Sequence, residues 1–218
     1  MHLFPLIETS EKTLEINVLS DFLDLIEKRT NKKITVISPT QQDENKYGFD
    51  EIIDGMPAGQ IIAFQFKRPY AMRRPRNCVR FIINTKQLGT LLNSFFPSEA
   101  YYVFTPFPFN SQLVANRGNL LKATIPVDIY NIPKGRKTSQ KTRTVRIYST
   151  TTINNPFHRR IEIADPRKFE PIKKVESLEN LTEKFIERKI GLQTPLPRTR
   201  KEKSVSLRNL FYIHLSSE

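Results

Sequence analysis

Cysteine is almost missing from this chain. Cys78 stands alone among 218 residues, so no internal disulfide is available, and a reducing, cytoplasmic setting is expected. Glycine is scarce as well, seven residues in all. Loops that wrap phosphates therefore have little raw material, and neither a Walker-type loop nor a dinucleotide fingerprint occurs. His2, His158 and His214 are scattered, and none has a second ligand at zinc spacing. No run of eighteen apolar residues exists, which excludes a hydrophobic membrane-spanning helix and argues against a membrane partner. The first residues, Met-His-Leu-Phe-Pro-Leu-Ile-Glu, lack the basic start and cleavage site of a secretory signal.

What the chain has is positive charge, unevenly placed. The formal total is +13. Residues 1–66 hold six Lys/Arg against eleven Asp/Glu, a balance of −5, whereas residues 67–130 hold nine against two, +7. Residues 131–203 hold nineteen against eight, +11. Such a surface favours a polyanion through counterion release and long-range steering, and nucleic acid is the expected partner. A ribosome-associated or structural basic protein is the bland alternative.

Hydrophobic spacing orders the elements. Leu14, Val18, Phe22, Leu25 and Ile26 predict a first helix, with Thr9 or Ser10 as cap and Asn31 past its end. Strands are predicted at 33–38, 47–53 and 60–67, with Asp54-Gly55 in the turn between the second and third. Residues 68–76 form a basic arm interrupted by Pro69 and Pro75, which belongs on the surface. A strand at 78–83, a helix over 85–95 and strands at 101–104, 123–130 and 143–150 follow. Residues 133–143 read as a basic loop, and a helix over 177–190 has Ser177 as cap and Gly191 as terminator. Residues 191–204 read as a linker or arm and 205–215 as an apolar element of open type.

The third predicted strand, Gln-Ile-Ile-Ala-Phe-Gln-Phe-Lys, turns polar only at its far end. Alternation puts Gln65 and Lys67 on one face and Phe64 and Phe66 on the other. Asp50 precedes Gln65 by fifteen positions. A carboxylate, an amide oxygen and an ammonium at adjoining strand ends have the makings of a cation site beside a phosphate. Singly, each residue is an ordinary strand-end or turn group.

With Asp50 on the second strand and Gln65-x-Lys67 on the third, residues 10 to 105 or so resemble the PD-(D/E)XK nuclease superfamily. The likeness is to its Mrr-like Asp…Gln-x-Lys variant. The resemblance covers less than half of the chain. It implies an α/β (α+β) fold, restriction-endonuclease-like, with a central mixed sheet flanked by helices. Residues 1–130 would form the nuclease-like core. Residues 131–218 would be a basic extension whose helix packs on that core.

The resemblance also implies Mg²⁺-dependent hydrolysis of DNA, with Mn²⁺ as a substitute, in restriction, defence or DNA processing. Asp50 would bridge the metal, Gln65 would stand where Asp or Glu is usual, and the Phe66 carbonyl would add a ligand. Lys67 would steady the transition state. A glutamate is expected to complete the set: Glu15 matches best, Glu44 is the rival and Glu11 the weaker one. Arg68, Arg73, Arg74 and Arg76, with Lys134, Arg136 and Lys137, are the expected DNA contacts. Cutting both strands needs two sites, which a homodimer would supply. The alternative is a nucleic-acid-binding protein on the same scaffold without catalysis.

Overall fold

Ser10 opens the first helix. Its Oγ accepts from the Thr13 amide at 3.0 Å, and α1 then runs Glu11–Thr30. Asn31, at φ 55°, ends it in the left-handed conformation, donating its amide to Glu27 O. The computed structural model describes residues 7–40, 42, 46, 48–56, 60–72, 78–132, 141–149, 159–165, 168–171, 175–187 and 189–193.

Strands β1 (Thr35–Ile37), β2 (Glu51–Met56) and β3 (Gln60–Lys67) pair antiparallel in sequence order. The short edge strand β4 (Tyr70–Ala71), then β5 (Cys78–Asn84) and helix α2 (Thr85–Ser94) lead to β6 (Ala100–Phe104). That strand lies parallel to β3. Helices α3 (Asn110–Ala115) and α4 (Leu120–Ala123) precede β7 (Ile125–Asp128), which closes this side antiparallel to β6. The first sheet is therefore mixed, in the order β1-β2-β3-β6-β7. A two-residue strand, β11 (Leu192–Gln193), pairs with the start of β3.

A second sheet is antiparallel throughout. Strands β8 (Thr142–Ser149), β9 (Arg159–Asp165) and β10 (Lys168–Pro171) extend from β5 in the order β10-β9-β8-β5-β4. Helix α5 (Leu178–Ile186), capped by Ser177, completes the five helices among the described residues. No described helix is long and apolar enough to cross a membrane. The chain is thus mixed α/β with two sheets.

The layers follow from strand alternation. Ile62, Phe64 and Phe66 of β3 face α1 and α5, where Phe22 meets Phe64 edge-on at 5.4 Å and Phe185 at 6.3 Å. Ile61 and Ala63 face the other way. They share a core with Tyr102 and Phe104, with Leu88 and Leu91 of α2, and with Phe81, Ile83, Val145 and Ile147 of the second sheet. Each buried aromatic or branched side chain contributes about 1.5–3 kcal/mol to holding these layers.

Several predicted boundaries move. The second strand begins at Glu51, because Gly48 turns the chain at φ 83°; Asp50 lies in the bend just before it. Asp54-Gly55 lies within β2, whose register with β3 shifts between Ile53 and Met56, so one extra residue is absorbed in the strand. The predicted strand over 123–130 is shortened by α4, and 159–171, for which no element is predicted, forms β9 and β10. Residues 133–140 and 194–218 lie outside the described residues. The loop read at 133–143, the end of the arm at 191–204 and the element at 205–215 fall wholly or mostly there. Strand β5 from one side of residue 130 and β8 from the other share seven register pairs.

Candidate active site

Asp50 is held at the end of β3 by three hydrogen bonds. Its amide donates to Phe64 O at 2.9 Å. Its Oδ2 accepts from the Phe66 amide at 2.7 Å and from Gln65 Nε2 at 2.6 Å. Because Gln65 and Lys67 share a strand face, Lys67 lies on the same side, and its ammonium sits over the Tyr102 ring, 5.8 Å from the centroid. Both side chains are deep, with Gln65 1% and Lys67 9% exposed. Asp50 and Gln65 thus meet, and Lys67 is near enough for its charge to act on Asp50.

Burial pushes the Asp50 carboxyl up to about 7, from an ordinary value of 3.8. The Lys67 charge opposes this, the charge of Glu11 adds to it, and the hydrogen bonds from Phe66 and Gln65 pull it back. Burial thus disfavours the charged form of Asp50, and added positive charge beside it would favour that form.

Two further residues come to this place. Gln87 lies in the first turn of α2, where Asn84 Oδ1 caps the helix by accepting from the Lys86 and Gln87 amides. Its Nε2 donates to Gln65 Oε1 at 2.6 Å. Tyr102 stands opposite Gln65 in the parallel ladder and is fully buried. Its hydroxyl has no hydrogen-bond partner among the described residues. Burial pushes that hydroxyl's pKa up, and the Asp50 charge pushes it further.

The glutamates divide between two places. Glu11 Oε2 accepts from the Arg68 amide at 2.7 Å, and its charge acts on Asp50. Glu15, one turn on, belongs to a separate cluster. Register places Glu51 beside Phe64, on the face toward α1, where Glu15 hydrogen-bonds with it. Lys12 pairs with Glu15 and lies 3.7 Å from Glu51. The Ser38 hydroxyl reaches both Glu51 oxygens, at 2.8 and 2.7 Å. Burial, then the Glu15 contact, pushes Glu51 up to about 7.

Arg68 is half-buried; its amide meets Glu11 and its guanidinium pairs with Glu8. Glu44, Arg73, Arg74, Arg76, Lys134, Arg136 and Lys137 lie outside the described residues. Sequence reasoning passed over Gln87 and Tyr102. The first is three residues past a capping Asn, and the second sits in an apolar strand, so neither carries a local signal.

The donors fit a hard cation. Among the described residues no three His, Cys, Asp or Glu side chains gather. The Asp50 carboxylate, the Phe66 carbonyl and the Gln65 amide are nonetheless oxygen-bearing groups of the kind Mg²⁺ takes. The Tyr102 hydroxyl is buried beside them without a hydrogen-bond partner among the described residues. Gln65 turns its nitrogen toward Asp50 and its oxygen toward Gln87, so its amide would have to turn over to offer oxygen to a cation held by Asp50. Compared with protein-family models, curated proteins and solved structures, the chain has no significant match.

Proposed function

We propose that this chain is a metal-dependent nuclease that hydrolyses DNA phosphodiester bonds, on a restriction-endonuclease-like fold. The observation that carries the reading is the hydrogen bond of Gln65 Nε2 to Asp50 Oδ2 at 2.6 Å at the end of β3, with the charge of Lys67 acting on the same carboxylate. A divalent cation, when bound by Asp50, Gln65 and the Phe66 carbonyl, supplies Lewis acidity toward a phosphate oxygen and acidifies water. Lys67 offers fixed positive charge to the phosphorane-like transition state. Tyr102 offers a hydroxyl proton at the same place, and Glu11 adds negative charge that favours a cation. The mixed sheet, with β6 parallel to β3 behind the site, supports the fold part of the reading.

The test is incubation of supercoiled, linear and single-stranded DNA with Mg²⁺ or Mn²⁺, and again with a chelator. Cleavage that needs the cation and falls about 100-fold or more in Asp50→Ala and Lys67→Ala is expected. A Lys67→Ala protein that cuts as fast as wild type overturns the assignment. The orientation of the Gln65 amide favours a second reading, a DNA-binding protein without catalysis, because its nitrogen already satisfies Asp50. That protein would bind DNA with a steep salt slope in chelator and never cut it.

A further inference from the structure

The outer face of the second sheet carries arginines where a sheet does not want them. Register sets Tyr70 opposite Arg80 and Arg80 opposite Arg146, so one row across β4, β5 and β8 reads Tyr-Arg-Arg. Paired residues on neighbouring strands point the same way, and like charges directly opposite destabilise a pair. Arg80 is exposed, as are Asn84 and Ile82 along its strand, while Phe81 and Ile83 point into the core. Arg68 reaches the same row from the end of β3. Its guanidinium lies 5.4 Å from the Tyr70 ring centroid, and that of Arg80 lies 5.6 Å from it. The ring thus props two cations side by side, and the Arg68 guanidinium is also paired with Glu8, a contact that a phosphate would replace. Glu162 occupies the next register position beyond Arg146.

We infer that this row, Arg68, Arg80 and Arg146 propped by Tyr70, is a docking track for the phosphate backbone of DNA. It leads outward from the proposed cutting site. Arg68 follows Lys67 directly in the chain, so the track starts one residue past the end of β3. Adjacent strands step by about 5 Å, so the guanidinium groups are spaced along a line and suit a run of phosphates. Guanidinium forks match phosphate oxygens, and they read no base sequence from this position. The inference rests on the proposed DNA substrate but needs neither metal nor cleavage.

The experiment measures binding of fluorescent duplex DNA in chelator, by anisotropy, across a salt series. The wild-type protein is compared with Arg80→Ala/Arg146→Ala and Arg80→Lys/Arg146→Lys. Each phosphate contact contributes about 0.9 to the slope of log affinity against log salt. The alanine pair should lose about 2 from that slope, and the lysine pair should keep it. Thermal unfolding shows that each variant is folded at the assay temperature. An unchanged slope in a folded alanine pair overturns the track and leaves the nuclease reading standing. Wild-type binding without salt dependence overturns it too. Binding through the track with no cleavage in Mg²⁺ or Mn²⁺ leaves the track standing and overturns the nuclease reading.

Discussion

Gln87 Nε2 donates to Gln65 Oε1 at 2.6 Å, and this contact decides which end of the Gln65 amide faces Asp50. While it holds, the amide oxygen is occupied and a cation must compete for it. Gln87→Met keeps the length and removes the donor. One hydrogen bond is worth about 1 kcal/mol net, so Mn²⁺ affinity should rise about fivefold. Calorimetric titration checks it, and unchanged or weaker affinity refutes the role given to Gln87.

Tyr102 should respond in opposite directions in two assays. Its buried hydroxyl lacks a partner, so Tyr102→Phe removes an unmet desolvation cost and should leave stability equal or up to about 1 kcal/mol higher. If that hydroxyl serves a ligand, cleavage falls on the order of tenfold. Thermal unfolding and single-turnover cleavage read the two effects. Full cleavage activity in the phenylalanine protein would return Tyr102 to a packing role.

The two α1 glutamates should separate. Glu11 acts on Asp50, whereas Glu15 is engaged with Lys12 and Glu51. Glu11→Gln should weaken Mg²⁺ dependence of cleavage several-fold, because one charge beside the proposed cation is lost. Glu15→Gln should chiefly alter stability. Mg²⁺ titrations of cleavage rate decide it, and a larger effect from Glu15→Gln would restore that residue to the site.

Acid should stabilise the metal-free protein. Asp50 and Glu51 are both raised to about 7, from 3.8 and 4.5. Between pH 4 and 7 or so the folded state keeps protons that the unfolded chain releases. Stability is therefore highest at or below about pH 4, as far as these two groups decide, and is lost as pH rises to about 7, on the order of several kcal/mol in all. Melting temperatures in chelator test this. Asp50→Asn should flatten part of the slope and leave the Glu51 share. A wild-type melting temperature that climbs across that window contradicts the picture.

Local chemistry was legible where neighbours in the chain decide it. The β3 boundaries, the Ser177 cap and the left-handed turn at Asn31 all appear where spacing and residue type put them, whereas α5 ends at Ile186, short of the predicted terminator Gly191. The meeting of Asp50 with Gln65 was equally legible, because a turn and a strand bring them together over fifteen residues. Glu15 shows the limit. Helical spacing puts Glu11 and Glu15 on one side of α1, but says nothing of which strand residue each will meet.

The sequence by itself determined which side chains alternate along β3, where α1 and α5 begin, and that positive charge gathers after residue 66. Only the tertiary structure decided that β8 would lie beside β5 and bring Arg146 to Arg80, that Tyr102 would be buried opposite Gln65, and that Gln87 would hold the amide. The reason is physical. Spacing and propensity act over a few residues, whereas strand pairing joins positions more than sixty apart, and its register is chosen by the fit of whole faces.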